Sequence, residues 1–97
     1  MLFRTNKNKK ITHSQLIQLL ANIGYRETKA PGGHLLFKHP NSDSVIMLRN
    51  ARNNELILIN VIAYVIRTII ESRIITEEQL DNEFNMVYIK KNSKFNE

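Results

Sequence analysis

The chain has 97 residues, 42% of them hydrophobic, and carries 14 basic against 9 acidic side chains, a formal charge of +5. That length suits one small domain around one core and leaves too few residues for a second. With no cysteine in the chain, a disulfide framework, a zinc–thiolate site and a thiol nucleophile are excluded, which fits a cytoplasmic setting.

The N-terminal "MLFRTNKNKK" has no apolar stretch behind its basic residues and does not read as a secretory signal. The longest uncharged apolar run, "LILINVIAYVI" from Leu56 to Ile66, falls short of the roughly 20 residues of a membrane helix. No membrane association is expected. The excess charge lies at the ends: Arg4, Lys7, Lys9 and Lys10 at one, Lys90, Lys91 and Lys94 at the other. Between positions 11 and 89, seven basic residues face eight acidic ones. A single near-neutral domain over 11–89 is expected, with basic tails over 1–10 and 90–97. Such tails attract phosphates without reading sequence, and they also serve solubility.

In chain order, "ITHSQL" opens the first helix. Thr12 is placed to cap it and Gln15 to complete a capping box, with Ile11 and Leu16 as a hydrophobic staple. Leu16, Leu19, Leu20 and Ile23 form its apolar stripe and Gly24 its C-terminal cap, so the helix runs from about His13 to Asn22. "YRETKA" follows as an edge strand, "PGG" as a turn and His34 to His39 as a second strand. Alternation places His34, Leu36 and Lys38 on one face and Leu35, Phe37 and His39 on the other. "PNSD" turns the chain into a third strand, "SVIMLR". "NARNNE" reads as a loop, and "LILI" as a short strand or an extended lead into the next helix.

Asn60 is the predicted cap of that helix. Its run "VIAYVIRTIIESRI" is apolar around most of its circumference and is expected to bury more than one side. A last helix opens at "ITEEQL" with Thr76 and Gln79 in a second capping box, and its pattern fades beyond Phe84. The predicted class is α+β, in two layers: a three-stranded antiparallel sheet packed by helices in the order α-β-β-β-α-α.

His34 is the first candidate for chemistry, because an imidazole exchanges protons near neutral pH. Gly32 and Gly33 before it allow a backbone or a phosphate to approach closely. Read from these residues alone, a plain hairpin turn that happens to precede a histidine is the weightier reading. Lys38 shares the His34 face and is a phosphate contact or a guard on an exposed strand. Arg49 and Arg52 frame the polar loop and are candidate phosphate contacts or ordinary solvated cations. His39 before Pro40 reads as a turn-region histidine, and His13 at the first turn of its helix as solvent-exposed. No ligand spacing recommends a metal site, and no nucleotide or serine-nucleophile motif is present. No cofactor is expected.

The stretch "LLANIGYRETKAPGGHLLFKHPNSDSVIML" resembles the HicA toxin family, also described as YcfA-like. The matching features are Gly24 with Tyr25 after the first helix, Gly32 and Gly33 leading to His34, and the "LLFKHP" run. "VIAYVIRTIIESRIITEEQL" is similar to the family's late helix, turn and acidic last helix, so the resemblance covers roughly residues 12–84. It implies a double-stranded-RNA-binding-domain-like fold and a toxin-type endoribonuclease. That activity would cleave messenger or other single-stranded RNA by metal-independent acid–base chemistry. His34 would be catalytic and Gly32 or Gly33 would match the family's functional glycine. Lys38, Arg49 and Arg52, read from the residues alone, are the candidate RNA-binding cations. The resemblance also implies a HicB-like antitoxin partner. The family's proline and histidine after the third strand have no counterpart in "MLRNARNNELILI". The alternative is a non-catalytic RNA-binding or protein-interaction module on the same fold. A third reading is assembly, with the apolar late helix as a homodimer seam.

Overall fold

The computed structural model describes the backbone of residues 10–93 and the side chains of residues 10–88. The expected basic tails, apart from Lys10 and the backbone of 90–93, lie outside these residues. The elements are α1 (His13–Ile23), β1 (Arg26–Ala30), a 3₁₀ turn (Pro31–Gly33), β2 (His34–Lys38), β3 (Val45–Arg49), α2 (Ile59–Ser72) and α3 (Glu77–Ser93). The fold is α+β in the expected order. Its antiparallel sheet has the order β1-β2-β3, with β2 in the middle and β1 at an edge.

The first capping box forms as the sequence requires. The Gln15 amide donates to Thr12 Oγ1 (3.2 Å), and the Thr12 amide donates to Gln15 Oε1 (2.8 Å). Gln15 Nε2 also donates to the Val87 carbonyl (3.1 Å), which ties the start of α1 to α3. The second box pairs the Thr76 amide with Gln79 Oε1 (3.0 Å) and the Gln79 amide with Thr76 Oγ1 (3.1 Å). Each box satisfies two amides that the first helical turn leaves without intrahelical partners.

Alternation in the strands meets periodicity in the helices. Leu35 and Phe37 of β2 and Ile46 and Leu48 of β3 are buried, while their neighbours on the other face are not. Leu16, Leu19 and Leu20 of α1 pack into the same core, with Leu80, Phe84 and Val87 of α3. From α2 come Ile62, Val65, Ile66 and Ile69, a single stripe at i, i+3, i+4 and i+7. The expectation that α2 buries more than one side is corrected here. Ile59, Ala63, Tyr64 and Arg67 are exposed on its other side.

Three further corrections concern element ends and one side chain. Asn60 does not cap α2. Leu58 does, without a side-chain bond, because the preceding segment is held extended by pairing with the chain before α1. That pairing is a bridge between Thr12 and Leu56, with the Ile57 amide donating to the Ile11 carbonyl (3.0 Å). The helical pattern does not fade at Phe84, since α3 continues to Ser93 and Val87 reaches the core. His13 is not exposed. It is 2% accessible, its amide donates to the Glu55 carbonyl (2.8 Å), and its buried Nε2 has no hydrogen-bond partner among the described residues.

These assignments separate two substitutions that look alike in sequence. Thr12→Ala is expected to destabilise by about 1 kcal/mol through loss of a buried cap. Asn60→Ala, inside the first turn of α2, is expected to stay within about 0.5 kcal/mol of the parent. Denaturant midpoints of the two variants, at equal slope, check the contrast.

Candidate functional site: the open face of the sheet

The pairing register fixes which side chains share the uncovered face. His34 stands opposite Ala30 on one side and Arg49 on the other. Leu36 stands between Thr28 and Met47, and Lys38 between Arg26 and Val45. The face is therefore three rows deep. Its top row is Ala30, His34 and Arg49, its middle row Thr28, Leu36 and Met47, and its bottom row Arg26, Lys38 and Val45. Neither Asp nor Glu occupies any of these nine positions. The cations stand there without an opposing carboxylate on the same face.

The hydrogen-bond phase of the ladder brings His34 and Arg49 close. The His39 amide donates toward β3, to the Ser44 carbonyl (3.4 Å), so Leu35 and Phe37 also direct their backbone groups toward β3. The Met47 amide points away from β2 and donates to Tyr64 Oη (3.3 Å), as this phase requires. His34 and Arg49 consequently form a non-hydrogen-bonded pair, the kind whose α-carbons approach to roughly 4.5 Å. Both side chains are accessible, His34 partly and Arg49 more fully.

The turn before His34 needs its glycines. Gly32 has φ 80° and Gly33 φ 78°, in the left-handed region that side chains disfavour. They differ in surroundings. A Cβ on Gly32 would lie 3.4 Å from His34 Nδ1 and 3.7 Å from Cε1, whereas one on Gly33 would meet nothing within 4 Å. The imidazole thus lies beside Gly32, at ordinary contact distance from where a side chain there would begin.

The expected site residues are not all gathered together. Arg49 adjoins His34. Lys38 shares its face, but four positions along the strand place it roughly 13 Å away. Arg52 is exposed in the loop after β3, where its carbonyl accepts from the Glu55 amide (3.1 Å). Arg26, which the sequence reading did not single out, belongs to the same face as His34. Its signal was present in the alternation of "RETKA", whose even positions share a face with His34 once the strands pair.

His39 has a different task. It is buried, and the Asn41 amide donates to its Nδ1 (3.1 Å). The proton therefore resides on Nε2, which donates to the Ile23 carbonyl (3.1 Å) at the end of α1. Tyr25 meets the ring edge-on at 5.1 Å, and its hydroxyl bonds Ser44 Oγ (2.7 Å). His39 is a rivet between the end of α1 and the β2–β3 turn, and Gly24 leaves the space it occupies.

Among the described residues, no group of three or more His, Asp or Glu side chains could hold a metal ion. No described helix is long and apolar enough to cross a membrane. Comparisons with protein-family models, curated proteins and solved structures find no match to this chain.

Proposed function

We propose that the chain is a HicA-like toxin, an endoribonuclease that cleaves messenger RNA on the open face of its sheet, without a metal. The observation that carries the reading is the juxtaposition of His34 with Arg49, on a face whose cations meet no carboxylate. His34 accepts the proton of a ribose 2′-hydroxyl, and that oxygen attacks the adjacent phosphorus. The 5′-oxygen leaves and takes up a proton. Arg49 meets the negative charge that builds on the phosphoryl oxygens. Arg26 and Lys38 at the lower end of the face, and Arg52 beyond β3, bind neighbouring phosphates and position the strand. Gly32 and Gly33 form the turn that presents His34 at the start of β2. The fold reading is double-stranded-RNA-binding-domain-like. The setting is cytoplasmic, and a HicB-like antitoxin would cover the same face.

The second reading is a non-catalytic RNA-binding module. It is favoured by exposed Val45 (46%) and Met47 (51%), which make the face a contact surface as much as a reaction site. Expression of the chain is expected to arrest growth under the first reading and not under the second. Arg49→Ala is expected to weaken RNA binding and to reduce the slope of log affinity against log salt by about one. Fluorescence anisotropy on a labelled single strand across a salt series checks this. An unchanged slope would remove Arg49 from the phosphate-binding set.

A further inference from the structure

The free edge of the sheet has a sequence that complements itself. Phase places the backbone groups of Ala30, Thr28 and Arg26 toward β2. Those of Glu27 and Lys29 therefore point outward, where β1 has no neighbouring strand among the described residues. All four residues from Arg26 to Lys29 are exposed. An unpaired strand edge invites another strand, and charges on it restrict which strand fits.

One register satisfies both the hydrogen bonds and the charges. We propose that β1 pairs antiparallel with β1 of a second copy, about a two-fold axis through Thr28, making one six-stranded sheet. Glu27 then stands opposite the second copy's Lys29, and Lys29 opposite its Glu27. These outward-pointing residues exchange the ladder hydrogen bonds, and opposite charges directly across a pair favour it. Thr28 meets Thr28 at the axis. The arrangement is isologous and closes on itself, so it ends at a dimer.

The pairing also changes the site, and this part rests on the ribonuclease reading above. In this register Ala30 lies beside the second copy's Arg26. The top row becomes Arg49, His34, Ala30, then the second copy's Arg26 and Lys38. Two strand spacings, roughly 10 Å between α-carbons, separate His34 from that Arg26, against roughly 14 Å for its own. Ala30 is small enough to let the guanidinium lie across it. Each copy thus supplies a positioning cation to the other's imidazole.

Sedimentation of the full chain tests the pairing at up to ~1 mM, the range in which a small interface associates. The parent is expected to dimerise. Glu27→Lys and Lys29→Glu, each on an exposed strand, are expected to be monomeric alone. Mixed in equal amounts they form a heterodimer, because every pair across the axis is then opposite in charge. Thr28→Cys, in a chain with no other cysteine, is expected to oxidise to a covalent dimer faster than Arg26→Cys. A monomeric parent, a dimeric Glu27→Lys, or a mixture that stays monomeric would overturn the pairing.

Cleavage assays test the shared site. Arg26→Ala and His34→Ala, each with little activity alone, are expected to regain activity on mixing, when one dimer holds an intact His34 and an intact Arg26 across the axis. A dimer without such recovery would overturn the sharing. A parent that dimerises but cuts no RNA would overturn the ribonuclease reading and leave the pairing supported.

Discussion

Gly24→Ala is expected to lower stability by about 2–4 kcal/mol, a fall in Tm of at least about 10 °C for a domain of this size. Two effects act together. Gly24 has φ 110°, outside the range a side chain accepts without strain. Its new Cβ would also lie 2.9 Å from His39 Nε2, closer than such atoms approach. The ring must move, and it is buried. Moving it breaks the bond to the Ile23 carbonyl and the one from the Asn41 amide. Polar groups stranded inside a protein cost more than the bond they replace gained. Thermal unfolding of four proteins separates the effects: the parent, Gly24→Ala, His39→Ala and the double variant. Without the imidazole the clash vanishes, so Gly24→Ala should cost only its backbone strain in the His39→Ala background. Equal costs in both backgrounds would contradict the packing account.

His34→Ala is expected to lower RNA cleavage by roughly 10²–10⁴-fold, the contribution of a positioned general acid or base. Stability should change by no more than about 0.5 kcal/mol, because His34 lies on the uncovered face and outside the core. That combination separates a reacting group from a structural one. His39→Ala should show the reverse, a clear loss of stability first. RNA carrying a 2′-deoxyribose at the cut site should resist the parent, since the attacking oxygen is missing. Cleavage of that strand at the normal rate would place the chemistry elsewhere.

Both capping boxes were legible in the sequence because each is a local contract among four residues. The faces of β2 followed from alternation, and β1 was identifiable as an edge from its weak apolar content. What stayed hidden depends on contacts between distant segments. His13 stands at a helix start, usually a wet position, but the chain at Glu55 to Ile57 crosses it and shuts it in. The same crossing holds Leu56 and Leu58 extended, so α2 is capped two residues before the asparagine that looks like its cap. The length of α3 was underestimated because its outer residues are polar. Leu80, Phe84 and Val87 nevertheless keep a helical stripe beyond the point where charge obscures it.

The candidate site was legible in its turn and its histidine, and not in its neighbours. "PGGH" marks a turn before a strand, and the turn over Pro31–Gly33 ahead of β2 bears that out. Which arginine adjoins His34 is a question of register, set by the length of the turn between β2 and β3. That length brings Arg49 across from His34 and leaves Arg52 in the following loop. The motif similarly concealed that its second histidine, His39, binds the fold together. Gly24 and Tyr25 stand two strands before His39 in sequence, yet the three form one packed unit whose chemistry is structural.

The most direct measurement is cleavage of one labelled single-stranded RNA by the parent and by folded His34→Ala, side by side in excess EDTA. The parent is expected to produce discrete fragments with 5′-hydroxyl ends, and His34→Ala to leave the strand whole over the same time. Equal cleavage by both proteins, or an intact strand with the folded parent, would contradict the assignment of RNA cleavage to His34.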